Sequence, residues 1–412
     1  MQINGEAQLR NCSVLISGAG SAGQSVGYWL RRYGFEPTVV ERSPGPRKGG
    51  FAIDLRGAAV EVADRMGILE ACRKAAVNMR EIRRYDADGK VIWQTDGNFG
   101  AGEGVAGDVE VLRDDLTDML QESACEGVEY IFGDSITSIT QDDDGVDVTF
   151  ANGAPRRFDL VIGADGLHSN VRELVFGPGD QFKRPLGLYA GIFTIPNTLK
   201  LDRQWLMRQM PGKLISNIDY GPGKHTRGLM VFSSPPLEFD RNDLEAQKSI
   251  IFEAFGDDAT WGVQTLLDGL RGSNDLYFDE VTQIHMPQWT SGRVALIGDA
   301  ASAPTLLTGQ GTSVAVVGAY VLAGELKAAG GDYQVAFARY EEELRPYTEK
   351  NQRILIDCPE MSIPDTQEEV DRREERFRLL QNNPEDVEDD DSAGVFIQSA
   401  ANAIKLKDYD KS

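Results

Sequence analysis

The first forty residues alternate between apolar runs and turn residues in a recognisable order. Ser13 to Ser17 (SVLIS) is a short apolar run of the kind that fills a buried parallel strand. The glycine-rich turn Gly18-Ala-Gly-Ser-Ala-Gly23 follows, and Gln24 to Tyr33 then carries Val26 and Leu30 at helical spacing until Gly34 stops it. Pro37 to Glu41 reads as a second strand. Strand, glycine turn, helix and strand make a βαβ unit.

Further along, the pattern predicts a loop over 42–56 and a helix from about Gly57 to Met66. A hairpin of Ile82–Asp86 with Val91–Thr95 turns at Asp88-Gly89. Arg113 to Cys125 reads as an amphipathic helix. Val128 to Phe150 reads as short strands around the turn Asp142–Gly145, and Asp159 to Gly166 as another buried strand ending in glycine. From 180 to 285 alternating strand-like stretches dominate, interrupted by one helix at about Asp243 to Phe255. Arg293 to Asp299 returns to the buried-strand type. A helix apolar on most faces follows from about Thr312 to Ala328, and Glu368 to Leu380 fits a long surface helix. The acidic run Glu385 to Asp391 reads as a solvated loop or frayed end.

These elements predict an α/β fold. A Rossmann-like domain of GR2 type spans 10–80, 100–179 and 286–350. It is interleaved with a mixed or antiparallel sheet domain over 81–99 and 180–285, and 351–412 forms a C-terminal helical extension with an acidic tail. The 412 residues suit two domains of ordinary size. A net charge of −23 argues against nucleic acid or an anionic membrane surface as partner. No apolar run is long enough to span a bilayer, and the N-terminus lacks the layout of a signal peptide. Cys12, Cys72, Cys125 and Cys358 are scattered, which predicts a reducing, cytoplasmic setting without structural zinc. The three histidines, His168, His225 and His285, form no metal motif, so no metal is expected. Oligomeric state is not readable.

The candidate chemistry lies at three turns. In Gly18-x-Gly20-x-x-Gly23 the first glycine permits the tight turn, the second a close approach of backbone to a pyrophosphate, and the third helix packing on the strand. Phosphates then rest on the helix N-terminus. Glu41 closes the next strand, where a carboxylate accepts hydrogen bonds from ribose hydroxyls. Such a turn fits NAD or FAD. Asp165-Gly166 ends a strand and continues as Leu-His-Ser-Asn-Val-Arg172; Gly298-Asp299-Ala-Ala comes later, then Gly309-Gln-Gly311 with Thr312 opening a helix. Asp299 is the firmest single candidate, because a carboxylate at the end of a buried strand is costly unless it serves a ligand.

In this order and spacing the three motifs resemble the class A flavin monooxygenases, the para-hydroxybenzoate hydroxylase-like family, over residues 10–350. Gly49 to Asp54 and the single-module length are most similar to the tetracycline-inactivating and related actinobacterial tailoring enzymes. The resemblance implies FAD as cofactor, NADPH or NADH as co-substrate, dioxygen and a small molecule as partners, and a flavin C4a-hydroperoxide that hydroxylates or epoxidises an aromatic or polyketide-like substrate. It implies that Gly18, Gly20, Ala22 and Gly23 line the diphosphate, Glu41 holds the ribose and Arg42 flanks the adenine. Asp54 and Arg113 would touch the FAD, Asp165 would serve FAD and nicotinamide, Asp299 would bind ribityl or ribose hydroxyls, and Gly311 and Thr312 would sit by the flavin ring. Arg47 is a candidate for NADPH or substrate contact. No catalytic side chain is singled out. Plainer roles stay open: Arg113 as a helix-face cation beside Asp114 or Glu110, Asp54 as a turn residue, Arg47 as part of a solvated loop. Trp205, Met207, Met210, Phe193 and Phe232 are read as core in preference to pocket. Two positions depart from the family pattern: Ser302 stands where His or Tyr is usual, and Leu306 where proline is usual. An FAD-dependent reductase or dehydrogenase on the same fold, or a non-catalytic FAD- or ligand-binding protein, are the alternative readings.

Overall fold

A computed structural model describes residues 9–46, 51–96, 108–124, 127–382 and 393–411. The βαβ unit at the N-terminus seeds a six-stranded sheet in the order Thr290–Ser291, Val294–Leu296, Leu160–Gly163, Ser13–Ser17, Glu36–Glu41, Glu129–Phe132. The last five strands run parallel and only Thr290–Ser291 runs against its neighbour. Val14, Leu15 and Ile16 are inaccessible to solvent, as a central parallel strand covered on both faces requires. The helices Ser21–Arg32 and Gly311–Ala328 pack on each other beside this sheet. Every residue from Ser313 to Leu326 is buried, in keeping with an all-round apolar helix.

The second large sheet has seven strands in the order Tyr277–Ile284, Lys183–Ile195, Thr226–Ser233, Lys213–Asp219, Gln204–Met210, Glu81–Tyr85, Val91–Asp96. The 81–96 hairpin is its outer edge, joined through a parallel pairing of Glu81–Tyr85 with Gln204–Met210; all its other pairings are antiparallel. Alternation gives the sheet two apolar faces. One carries Tyr189, Phe193, Ile195, Met210, Ile215, Met230 and Phe232 under the helices Leu244–Phe255 and Val263–Gly272. The other carries Leu188, Ala190, Val231 and Val281 with Leu214 and Leu229. A three-stranded sheet (Ile136–Gln141, Val146–Phe150, Arg156–Phe158) and a two-stranded ribbon (Ala52–Leu55 with Val109–Leu112) complete the strands.

Three expectations need correction: within 42–56, read as a loop, Ala52–Leu55 is a strand paired with Val109–Leu112. The 180–285 region holds two helices rather than one: Val263–Gly272 was hidden by its glycines, of which Gly269 is a packing position, since a Cβ there would lie 2.4 Å from Ile195 Cγ2. The chain also does not end in an acidic tail; the acidic run itself lies outside the described residues. A further helix, Ala393–Ala401, follows, and the segment after it packs on the helices near the first sheet. Tyr409 is buried there, its hydroxyl donating to Glu325 at 2.7 Å, and Lys407 Nζ reaches the same carboxylate at 2.8 Å. Among the described residues no helix is long and apolar enough to cross a membrane.

Candidate functional site

The glycines of the first turn have separate reasons. Gly18 has φ +103°, its N–H donates to Val40 O at 2.8 Å, and a Cβ on it would sit 2.6 Å from Ala164 O. At Gly23 a Cβ would meet Gly18 O at 1.9 Å. Gly20 is different: a Cβ there would meet nothing within 4 Å among the described residues. Two glycines serve the fit of turn and helix, and the third leaves the outer side of the turn open. Among the described residues no side chain caps the helix Ser21–Arg32, and no acidic residue lies in its first turn, so its first amides are suited to an anion. Glu41 accepts from the Ala19 N–H at 2.9 Å and the Ser43 N–H at 3.0 Å, which locks the turn to the strand end. Arg42 is exposed beside it. Arg47 lies outside the described residues.

The Asp165 carboxylate is engaged within the protein. It accepts from the Ser169 hydroxyl, from the Val171 N–H at 3.0 Å and from Ser17 Oγ at 3.3 Å, which ties two strand ends to the helix Asn170–Phe176. Burial raises its pKa and these bonds oppose the rise. Arg172, at the end of this motif, joins it to the motif of Asp299. It is buried, with Nη1 on Ala300 O at 2.9 Å and Nη2 on Leu167 O at 2.6 Å.

Asp299 stands at the start of a short helix after the Val294–Leu296 strand. Among the described residues its side chain has no hydrogen bond; burial raises its pKa and only Arg172 pulls it back. Its Oδ1 lies 3.6 Å from where a Gly311 Cβ would stand. Among the described residues no side chain caps the helix Gly311–Ala328. A Cβ at Gly298 would lie 3.1 Å from Ala22 Cβ and 3.3 Å from Ala315 Cβ, so the first and third motifs pack directly together.

Asp54 joins this end of the site. Its Oδ2 is 3.0 Å from the Cβ position of Gly309, and the Ser313 hydroxyl bridges the Asp54 carbonyl (3.0 Å) and the Arg56 N–H (3.1 Å). Arg56 pairs with Asp54 at 3.0 Å and Asp108 at 3.1 Å. Arg113 N–H donates to Phe51 O at 3.1 Å and its guanidinium lies 6.0 Å from the Phe51 ring, which is 6.3 Å from Tyr277. Its contact with Asp114 is long, 3.9 Å. Burial, then Asp279 and Asp299, raises the Tyr277 phenol, while Arg113 lowers it. Close approaches thus link Asp54 to the Gly309 turn, Asp299 to Gly311, and Gly298 to Ala22 of the first glycine turn. Among the described residues, an open glycine face on one uncapped helix start and a carboxylate without a hydrogen-bond partner on another fit an elongated diphosphate-bearing ligand with a polyol arm.

A profile described as "FAD binding domain" matches residues 11–187. An uncharacterized protein of Mycobacterium tuberculosis is 45% identical over 363 residues, covering 87% of this chain and 97% of its own. A flavin-dependent monooxygenase of Legionella longbeachae is 38% identical, covering 98% of this chain and 100% of its own. The chain belongs to the class A flavin-dependent monooxygenases. The crystal structure of tetracycline destructase Tet(55) superposes on it with a TM-score of 0.81 at 37% identity, covering 97% of this chain and 99% of that one.

In this flavin-dependent monooxygenase the sheet face toward the Gly309 turn carries residues that sequence reasoning passed over. Leu188, Ala190, Val231 and Val281, with partly buried Leu214 and Leu229, meet Leu306, Leu307 and Ile363. Phe193, Phe232 and Met210 belong to the opposite face and are core, and Met207 and Trp205 pack with Ile82, Ile92 and Trp93. Alternation shows that a strand has two faces; only the fold shows which one meets the turn. A polar groove of about 510 Å³ lined by Arg80, Lys200, Asp202 and Gln381 among others shares no residue with this site.

Proposed function

We propose that the chain inserts one atom of dioxygen into a small aromatic or polyketide-like substrate, as a hydroxylation or epoxidation, with NADPH or NADH as reductant. FAD, when bound, supplies the redox chemistry and the activation of oxygen. In this reading the diphosphate lies over Gly18, Gly20, Ala22 and Gly23. Glu41 holds the adenosine ribose and Arg42 flanks the adenine. Asp299 takes ribityl hydroxyls, the amides of Gly311 and Thr312 face the ring, Asp54 and Arg113 flank it, and Asp165 holds the loop between FAD and nicotinamide. Segments 10–80, 100–179 and 286–350 bind FAD, 81–99 and 180–285 the substrate, and 351–412 extend the fold.

The observation that carries this reading is Asp299, a desolvated carboxylate without a partner among the described residues, beside the uncapped start of a buried helix. A helix start favours negative charge developing on a ring above it. Leu306, Leu307 and the aliphatic sheet face keep water from that ring. The likeness to tetracycline destructase Tet(55) puts polycyclic phenols first among substrates to try. Yellow protein mixed with NADPH or NADH, isotopically labelled dioxygen and such phenols is expected to give product carrying label from the gas. Label arriving only from water, or turnover that proceeds without oxygen, refutes the proposal and favours a reductase.

A further inference from the structure

The turn that leads into the Gly311–Ala328 helix is held under backbone strain. Thr305 has φ +86° and ψ +150°. Among the described residues the other non-glycine residues with positive φ, Asn11, Asn78, Lys200 and Arg203, lie between 49° and 55°, in the ordinary left-handed helical region. Thr305 is outside it, in a region open to glycine and costly for a β-branched side chain. Such a conformation persists only where the surroundings over-determine it.

Those surroundings can be named. On one side, Gln283 Nε2 donates to Pro304 O at 3.1 Å and to Gln352 O at 2.8 Å. Gln352 Nε2 donates to Ala303 O at 3.2 Å and to Ile284 O at 2.7 Å. Each amide has two N–H groups, and both are used. On the other side, Thr305 O accepts from Thr308 Oγ1 at 3.0 Å, and Thr308 Oγ1 accepts from the Gln310 N–H at 3.2 Å. Leu306 and Leu307 are anchored in the aliphatic cluster of the large sheet. Gln283 comes from that sheet and Gln352 from the helix Tyr333–Asp357, so the clamp joins three parts of the fold at one turn. Leu306 has no ring to fix its φ, as a proline there would.

We propose that Gln283 and Gln352 are positioning residues of the active site: together they hold Thr305 in its strained conformation, and so fix the Leu306–Gly311 turn against the flavin. The proposal rests on the reading that the ring of FAD lies at this turn. Its test uses FAD itself as probe. Thr305→Gly removes the strain; the apoprotein is expected to melt about 1–3 °C higher. Its FAD is expected to bind about three- to tenfold more weakly, with faster fluorescence depolarisation of the bound ring. Gln283→Met, which loses both donors at similar volume, is expected to melt lower and to show the same flavin changes. Opposite shifts in melting with one flavin signature are not what a merely structural pair of glutamines gives. Unchanged FAD affinity and depolarisation in Thr305→Gly, with wild-type protein yellow, overturn the inference alone. Wild-type protein that takes up no FAD overturns the proposed function with it.

Discussion

Asp54 and Glu110 stand directly opposite one another across the antiparallel ribbon beside the Gly309 turn. Alternation places both away from Ile53, Leu55, Val109 and Val111, which are buried in the core. The single guanidinium of Arg56 serves Asp54 and Asp108, and among the described residues Glu110 has no ion pair. Burial, and next the charge of Asp54, push Glu110 up to about 8, against the opposing pull of Arg56 and Lys224.

The sign of the consequence follows from proton counts. Between its ordinary value of 4.5 and about 8, Glu110 is protonated in the folded protein and ionised in the unfolded chain. The folded state binds more protons across that window, so stability declines as pH rises through it and levels off above about 8. Asp54 is raised by burial too and contributes in the same direction. Glu110→Gln imitates the protonated form at every pH. Calorimetry of the apoprotein is expected to show a shallower decline for the variant, with the variant melting above wild type on the alkaline side. Parallel curves for the two proteins would show that Glu110 is not the titrating group.

Gly20 and Gly23 are expected to separate folding from cofactor binding. Among the described residues a methyl group on Gly20 meets no atom within 4 Å, so Gly20→Ala is expected to leave apoprotein stability within about 0.5 kcal/mol of wild type. The same methyl would project where a diphosphate approaches, and FAD affinity is expected to fall about tenfold or more. Gly23→Ala would force a Cβ to within 1.9 Å of Gly18 O and is expected to cost about 3 kcal/mol or more. Urea unfolding of the apoproteins and fluorescence titration with FAD test both halves. Equal FAD affinity in Gly20→Ala and wild type would remove the diphosphate from this turn.

The parts of the fold that were legible in the sequence are those written over short stretches. The turn at Gly18–Gly23 declares itself because strand, glycines and helix are contiguous, and the hairpin at Asp88-Gly89 for the same reason. The helix Val263–Gly272 escaped because Gly269, ordinarily a helix-weakening residue, is required by contact with Ile195. The pairing of Asp54 with Glu110 escaped because strand register between distant segments is a property of the fold. Gln283 and Gln352 escaped because an amide that holds a backbone carbonyl belongs to no motif. Arg172 was visible in its motif, but its partners Ala300 and Leu167 were not.

The C-terminal segment is expected to matter for stability through Glu325. This carboxylate is 2% exposed and is served by the Tyr409 hydroxyl and Lys407 Nζ, both from the last residues of the chain. Removing residues 405–412 strips both from a buried charge, at an expected cost of about 3 kcal/mol or more. Glu325→Gln in the shortened chain is expected to recover part of that loss, because a neutral amide is cheaper to bury. Urea titrations of the three proteins read the difference; a shortened chain as stable as wild type would exclude this role.

Asp299 and Arg172 should show energetic coupling although no direct hydrogen bond joins them. Burial disfavours the Asp299 charge and the nearby guanidinium favours it, while Arg172 itself is lowered by burial and raised by Asp165, then Asp299. Asp299→Asn removes a desolvated charge and is expected to stabilise the apoprotein while weakening FAD binding, the trade expected where a carboxylate is kept for a ligand. Arg172→Met leaves Ala300 O and Leu167 O without their donor and Asp299 without its counter-charge, and is expected to be strongly destabilising. In the double variant the first of those losses remains and the second disappears. The double variant is therefore expected to be more stable than the sum of the single effects by about 1 kcal/mol, measured as a double-mutant cycle by urea unfolding without FAD. Strict additivity would mean that Arg172 only staples the two loops and does nothing to hold the charge at Asp299.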